Sequence, residues 1–210
     1  MRYNEIIYKS THNSFTSNDK GSLKNQLDKG IRGIELDIHL YRKFIRKVFG
    51  LGHIYPGHEV SKGNNNPNSI YLRKWLEIIN DWMNSNRNKG PITLWIDIKD
   101  DITKQIPNYK DLNKLIGNIF KDKLFRPHSL IIYRKTNENW DIWLSINELK
   151  NNIIIVLTGN DQTIQAYFDF YQKNLKYQKN KKNVKNCFVS KTRGFNKNLK
   201  SNQIELLDMR

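Results

Sequence analysis

Gly33-Ile34-Glu35-Leu36-Asp37-Ile38 constrains this chain more than any other stretch. Ile34, Leu36 and Ile38 alternate with Glu35 and Asp37, the period of a β-strand in which every second side chain shares a face. Two carboxylates therefore sit together on one side of an otherwise apolar strand. Burying both is costly unless a cation sits between them, and a divalent metal is the simplest such cation. A half-exposed edge strand with two solvated acids is the competing explanation. What decides between them is whether the rest of the chain supplies the other parts of a metal site.

The first candidates lie upstream. Residues 4–9 carry Ile6, Ile7 and Tyr8 and predict a first strand, which runs into Ser10-Thr11-His12-Asn13-Ser14-Phe15. A strand's C-terminal end is where barrel enzymes place their chemistry. There His12 can serve as general acid or base, and Asn13 offers a neutral oxygen ligand. An idle loop histidine is the simpler reading of His12 alone. Residues 22–29 predict a short helix with Leu23 and Leu27 inward, capped by Gly30 before the acidic strand begins. After Asp37 the basic segment His39-Leu40-Tyr41-Arg42-Lys43 and then Val48-Phe49-Gly50-Leu51-Gly52-His53 read as a hairpin returning toward the site. His53 is followed by Pro56-Gly57-His58-Glu59, so two histidines compete for one role, and the flanking glycines allow close approach to the backbone.

Leu72, Trp75, Leu76, Ile79, Trp82 and Met83 recur at helical spacing and predict a core-facing helix. Ile92, Leu94, Ile96 and Ile98 then form one face of a second informative strand, with Thr93, Trp95, Asp97 and Lys99 on the other. Asp97 adds a third acid, and Lys99 beside it suits a phosphate. A plain Asp97–Lys99 ion pair explains the same pattern. Further on, the sequence predicts a helix around residues 112–120, a strand at 130–133, and Trp140 and Trp143 in a loop or short helix. A covered parallel strand follows over 152–157, then a helix over 163–175 and short strands at 188–189 and, doubtfully, 204–207. Residues 173–200 are strongly basic, which by default means a solvated, partly mobile segment and alternatively a contact for anionic membrane.

Alternating strands and helices give an α/β fold with a mostly parallel sheet, and polar groups at successive strand tips suit a TIM-barrel-like (β/α) barrel with its site at the C-terminal rim. An eight-stranded barrel takes about 250 residues. The 210 present form a single domain with an adequate core, 38% hydrophobic, and leave the barrel short or incomplete at its C-terminus. A lone Cys187 excludes an internal disulfide and a cysteine zinc cluster. No apolar run approaches a membrane span and no signal-peptide core is present. The chain as written is therefore expected in the cytoplasm, or outside the cell if its N-terminus has been trimmed. Its formal charge of +16 favours anionic partners, phospholipid surfaces or nucleic acid, although a coding bias toward Lys and Asn also raises it.

Four segments occur in an order that resembles the phosphatidylinositol-specific phospholipase C superfamily, most nearly its metal-dependent bacterial-type members. They are Thr11-His12-Asn13-Ser14, the run from Gln26 through Gly33 to Asp37, Gly52-His53 with Pro56-Gly57 and Glu59-Val60, and Pro91 through Ile96 to Asp100. The resemblance covers about residues 5–160. It implies a phosphodiesterase barrel in which His12 and His53 are the acid–base pair, His58 is held in reserve, and Asn13, Glu35, Asp37 and Asp97 are metal ligands. Such an all-oxygen set suits Ca²⁺, or alternatively Mg²⁺. Lys99 would neutralise the phosphate, with Arg42 and His58 further substrate contacts.

The implied substrate is a phospholipid head group of the phosphoinositide type. Related barrels with the same arrangement act on glycerophosphodiesters or choline lipids, including phospholipase D-like activity, so those remain alternatives. The rival from another class is an inactive basic protein binding anionic membrane or nucleic acid. Against it, Glu35, Asp37 and Asp97 would repel a polyanion unless a metal covers them, and no nucleic-acid motif is present. The oligomeric state is not legible.

Overall fold

The computed structural model describes residues 1–17, 19–175 and 186–190. Its strands are β1 (Ser10–Thr11), β2 (Gly33–Lys43), β3 (Arg46–Leu51), β4 (Ile92–Ile98), β5 (Ile153–Gly159) and β6 (Phe188–Val189). Its α-helices are α1 (Leu23–Asp28), α2 (Leu72–Ser85), α3 (Tyr109–Phe120), α4 (Pro127–Thr136) and α5 (Asp161–Leu175). Five strands pair in parallel in the order β1-β2-β4-β5-β6, and β3 folds back antiparallel on β2. The parallel strands follow chain order without reversal. Right-handed crossovers then place α1, α2, α3 and α5 on the same face, the winding of a barrel rather than of a doubly wound sheet.

The core follows from that winding. Ile34, Leu36, Leu94, Ile96, Ile155 and Leu157 meet α1, α2, α3 and α5 through Leu23, Trp75, Ile79, Leu112, Ile116 and Tyr167, all buried. Each such large apolar side chain contributes roughly 1.5–3 kcal/mol on burial. The opposite face carries a smaller apolar cluster, in which Ile154, Val156 and Phe188 pack on Tyr3 and Trp143. Beyond that cluster, toward the strands' C-terminal ends, the same face turns polar. Among the described residues β1 and β6 are edges, so the sheet there is an arc rather than a closed ring.

Two expected strands take other forms. Over residues 4–9 there is only a 3₁₀ turn, Tyr3–Glu5, followed by a segment outside any strand, whose Lys9 O accepts from Arg32 N and Gly33 N before the ladder begins at Ser10. Tyr3 is held under the sheet by its amide to Leu144 O (3.0 Å), its hydroxyl to Thr93 Oγ1 (2.5 Å) and its ring against Trp143, which leaves Ile7 exposed. Residues 130–133 lie in α4, which Pro127 starts at its first turn. A four-residue apolar run carries no period long enough to separate helix from strand. The doubtful strand at 204–207 lies outside the described residues, as does most of the basic stretch 173–200.

Candidate active site

The register of the sheet builds one wall of the site. Asp37 pairs with Asp97 and Asp97 with Thr158, so three oxygen-bearing side chains form a row at the C-terminal ends of β2, β4 and β5. Glu35 lies one step deeper, opposite Trp95. Both β2 acids are buried, Glu35 at 6% and Asp37 at 1% exposure, which removes the solvated-edge explanation. Thr158 donates to Asp97 Oδ1 at 3.0 Å, and Lys99 Nζ lies 2.5 Å from Asp97 Oδ2 and 3.1 Å from Asp37 Oδ2. The expected Asp97–Lys99 pair is therefore present and extends to Asp37.

Asp37 is the least compensated of these groups. Its contact with Lys99 is an ion pair without hydrogen-bond alignment, and neither of its buried oxygens accepts a hydrogen bond. Burial pushes its carboxyl up to about 6, Glu35 and Asp97 add to that, and Lys99 opposes it. For Lys99, burial pulls the ammonium down, but the hydrogen bond to Asp97 and the charges of Asp37 and Asp97 outweigh it and hold the group above its usual value.

The turn after β1 supplies the second wall. Asn13 sits in the left-handed region at φ 48°, which asparagine tolerates better than most residues. Its amide donates to Glu35 Oε2 at 3.0 Å, and His12 Nε2 is 3.3 Å from the same oxygen. Ser14 locks this turn onto β2, because its amide donates to Glu35 O and its hydroxyl accepts from Glu35 N, each at 2.9 Å. Gln26, buried on α1, accepts from Thr11 Oγ1 (2.7 Å) and donates to Ser14 O (2.9 Å). Ser14, Gln26 and Thr158 received no role from sequence reasoning. The available signal was Gln26 itself, a polar residue one position before the inward Leu27.

Asn13 Oδ1 is buried and has no hydrogen-bond partner. With both Asp37 oxygens, it makes three of the seven buried side-chain polar atoms that lack one among the described residues. Buried acceptors are nearly always satisfied, so a local excess of unsatisfied oxygens beside Glu35 fits a cation. Oxygen donors of this kind suit a hard ion such as Ca²⁺ or Mg²⁺. Asn13, Glu35 and Asp37 would hold it. Asp97 has both oxygens engaged, one by Thr158 and one by Lys99.

The segment after β3 supplies the third wall. Gly52 N donates to Asp37 O (3.2 Å) and Ser61 N to Phe15 O (3.0 Å), so residues 52–61 span from the acid row to the His12–Asn13 turn. Within it, Glu59 Oε2 lies 3.2 Å from His53 Nδ1 and 4.0 Å from His58 Nδ1. These three form a second donor cluster, with ligand atoms all within 4.8 Å of one another. Its mixed imidazole and carboxylate chemistry differs from the all-oxygen set. His53 and His58 thus share one acid, which sequence reasoning did not foresee. Arg42 stands apart: it lies five residues beyond Asp37 on β2, its Nε donating to Phe44 O at 3.1 Å.

Gly52 sets the path of this segment. A Cβ there would lie 1.9 Å from Tyr55 O and 2.9 Å from Gly57 N, both backbone atoms that cannot rotate away. Gly52→Ala is expected to displace the 52–59 loop and lower turnover by roughly 10–10²-fold, the scale of a 1 Å misplacement. Far-UV circular dichroism should stay unchanged. Full activity in a folded Gly52→Ala protein would show that the loop takes no part.

The sequence profile of the phosphatidylinositol-specific phospholipase C X domain matches residues 3–158. The fold is similar to that of a calcium-dependent phosphoinositol-specific phospholipase C from the Gram-negative bacterium Pseudomonas sp., solved with myo-inositol. Identity is 22%, the TM-score is 0.74, and 93% of this chain and 68% of that one are covered. A Ca²⁺-dependent phosphatidylinositol-specific phospholipase C from Streptomyces antibioticus is similar at 17% identity and a TM-score of 0.69, over 89% of this chain and 66% of that one. No curated protein matches significantly. The fold is thus the TIM-barrel-like one expected from the strand pattern.

Proposed function

The chain belongs to the phosphatidylinositol-specific phospholipase C X-domain family, and from that premise we propose that it is a calcium-dependent phosphodiesterase cleaving the head group of an inositol phospholipid. The observation that carries the metal is the pair of buried oxygens without a partner, Asn13 Oδ1 and Asp37 Oδ1, beside Glu35, with Asp37 Oδ2 met only by the Lys99 ammonium. Calcium is favoured over magnesium because the similar Pseudomonas and Streptomyces enzymes are calcium-dependent. Bound there, the cation would polarise a phosphoryl oxygen and lower the pKa of the attacking hydroxyl. Asp97, engaged by Lys99 on one oxygen and by Thr158 on the other, would join the ligand set once Lys99 released it to face the phosphate.

The chain's own residues move the protons. His12 takes the proton of the inositol ring hydroxyl, whose oxygen then forms the new bond to phosphorus. The bond from phosphorus to the glycerol oxygen breaks, and His53 gives its proton to that departing oxygen as diacylglycerol leaves. Glu59 on His53 Nδ1 fixes the ring so that Nε2 carries the transferred proton. His58, whose Nδ1 lies 4.0 Å from the same acid, would contact the head group. Lys99 balances phosphate charge.

The test is a panel of phosphatidylinositol, phosphatidylcholine and glycerophosphodiesters, scored for which bond breaks with calcium and with chelator. Diacylglycerol release from phosphatidylinositol is expected, falling at least ~10²-fold on chelation. Release from another member reassigns the substrate within the phosphodiesterase class. Salt-sensitive binding of anionic vesicles or nucleic acid with no cation-dependent cleavage of any member establishes the non-enzymatic reading instead.

A further inference from the structure

The β2–β3 hairpin overshoots the sheet. β4 ends at Ile98, the partner of Ile38, while the β2–β3 ladder continues to Lys43 and Arg46. Five further residues at ~3.3 Å each carry its tip roughly 16 Å beyond Ile38 and Ile98, on the same rim as the row of Asp37 and Asp97. The connecting loop is two residues long, Phe44-Ile45. Such turns need a positive φ and select glycine or asparagine. Here Phe44 adopts φ 52°, an uncommon conformation for an aromatic residue. Phe44 is 85% and Ile45 91% exposed. A bulky apolar pair occupies a strained position where local folding favours glycine, and among the described residues it stays almost fully exposed.

The surroundings say what it packs on. The hairpin reads Arg42-Lys43-Phe44-Ile45-Arg46-Lys47, and no acid occurs between Asp37 and Glu59. Of nine exposed large hydrophobic residues among the described ones, five lie on segments following β2, β3 and β4 at this rim: Phe44, Ile45, Ile54, Tyr55 and Ile106. The rim segments are also tied together, Lys47 donating to Gln105 Oε1 at 2.9 Å. Apolar tips ringed by cations match the boundary of an anionic bilayer, with acyl chains below and lipid phosphates around. Nucleic acid would meet the cations but offer isolated Phe44 and Ile45 little apolar surface.

We propose that the β2–β3 hairpin is a membrane-docking element, Phe44 and Ile45 inserting into an anionic lipid surface while Arg42, Arg46 and Lys47 face its phosphates. Docking by this tip sets the acid row toward the bilayer. The proposal rests on the lipid-cleavage reading only for its purpose, because adsorption needs no turnover.

The test uses the full chain and vesicles of phosphatidylcholine with and without phosphatidylserine, with binding measured by sedimentation. Wild type is expected to bind the anionic vesicles selectively. Phe44→Ser with Ile45→Ser should weaken binding by roughly 10²-fold, and Arg46→Gln with Lys47→Gln by about 10-fold with a flatter salt dependence. The Phe44/Ile45 variant should cleave a water-soluble phosphodiester as wild type does, which also reports its folding, while losing activity on vesicles. Unchanged vesicle binding by both variants overturns the proposal, as does a dimer dissociated by Phe44→Ser/Ile45→Ser with no vesicle binding by wild type. Hairpin-dependent binding without cleavage of any phosphodiester supports docking and sinks the enzymatic reading. Cleavage with hairpin-independent binding does the reverse.

Discussion

Alanine in place of His12 is expected to lower phosphodiester turnover by roughly 10²–10⁴-fold, and alanine in place of His53 to do the same. In the proposed role His12 acts from the turn that also positions Asn13, with its Nε2 3.3 Å from Glu35 and 61% of its side chain exposed. The two roles separate by leaving group. A substrate whose leaving group departs without a proton, such as a nitrophenyl phosphodiester, should restore most of the rate to the variant lacking the acid and none to the variant lacking the base. Rescue of His53→Ala alone fits the proposed assignment. His58 shares Glu59 with His53, so His58→Ala belongs in the same series. A leaving-group-rescued defect there, with His53→Ala near normal, moves the acid to His58. Near-normal turnover in both His12→Ala and His53→Ala defeats acid–base catalysis by this pair.

What was legible follows from which physical signal each feature leaves in the chain. Glu35, Asp37 and Asp97 announced themselves because a parallel strand alternates strictly, and an acid on an otherwise apolar strand breaks the pattern visibly. Asn13 and His12 were legible as polar residues at a strand end, although the strand itself shrank to Ser10–Thr11. The run of Ile6 and Ile7 gave no warning that Tyr3 docks elsewhere and pulls it out of the sheet. Glu59 was hidden because its pairing with His53 depends on a loop held at both ends by backbone bonds, which no side-chain pattern encodes. The tip of the hairpin was hidden for a different reason. Phe44-Ile45 contradicts turn chemistry, and a residue chosen for an outside partner looks like core until the structure exposes it.

Asparagine in place of Asp37 is expected to stabilise the calcium-free protein and to destroy its response to calcium. Without the cation, a buried carboxylate with no hydrogen bond is a liability that Lys99 only partly offsets. The sign follows from the direction of the shift. Burial lifts the folded-state pKa to about 6, above the ~3.9 of an unfolded aspartate, so the folded state holds the proton more tightly. Asp37 then costs nothing below about pH 4, and its cost grows as pH rises to about 6 and stays level above. Two units correspond to at most about 3 kcal/mol, a net figure in which the Lys99 attraction is already counted, and the desolvation of the buried amide brings the gain from Asp37→Asn to about 1–2 kcal/mol.

In chelator at pH 7.5 the variant should therefore melt above wild type, and the difference should vanish near pH 4. Calcium reverses the order: wild type rises by about 2.7 kcal/mol at a hundred times its dissociation constant, while the variant scarcely moves and its turnover falls at least ~10²-fold. This pattern is what a ligand under functional selection produces, since a site built to bind an ion is strained without it. A purely structural Asp37 predicts the opposite, with the variant less stable in chelator and calcium raising both proteins equally. Melting curves of the two proteins, with calcium and with chelator, therefore separate a cation site from a buried ion pair without measuring catalysis.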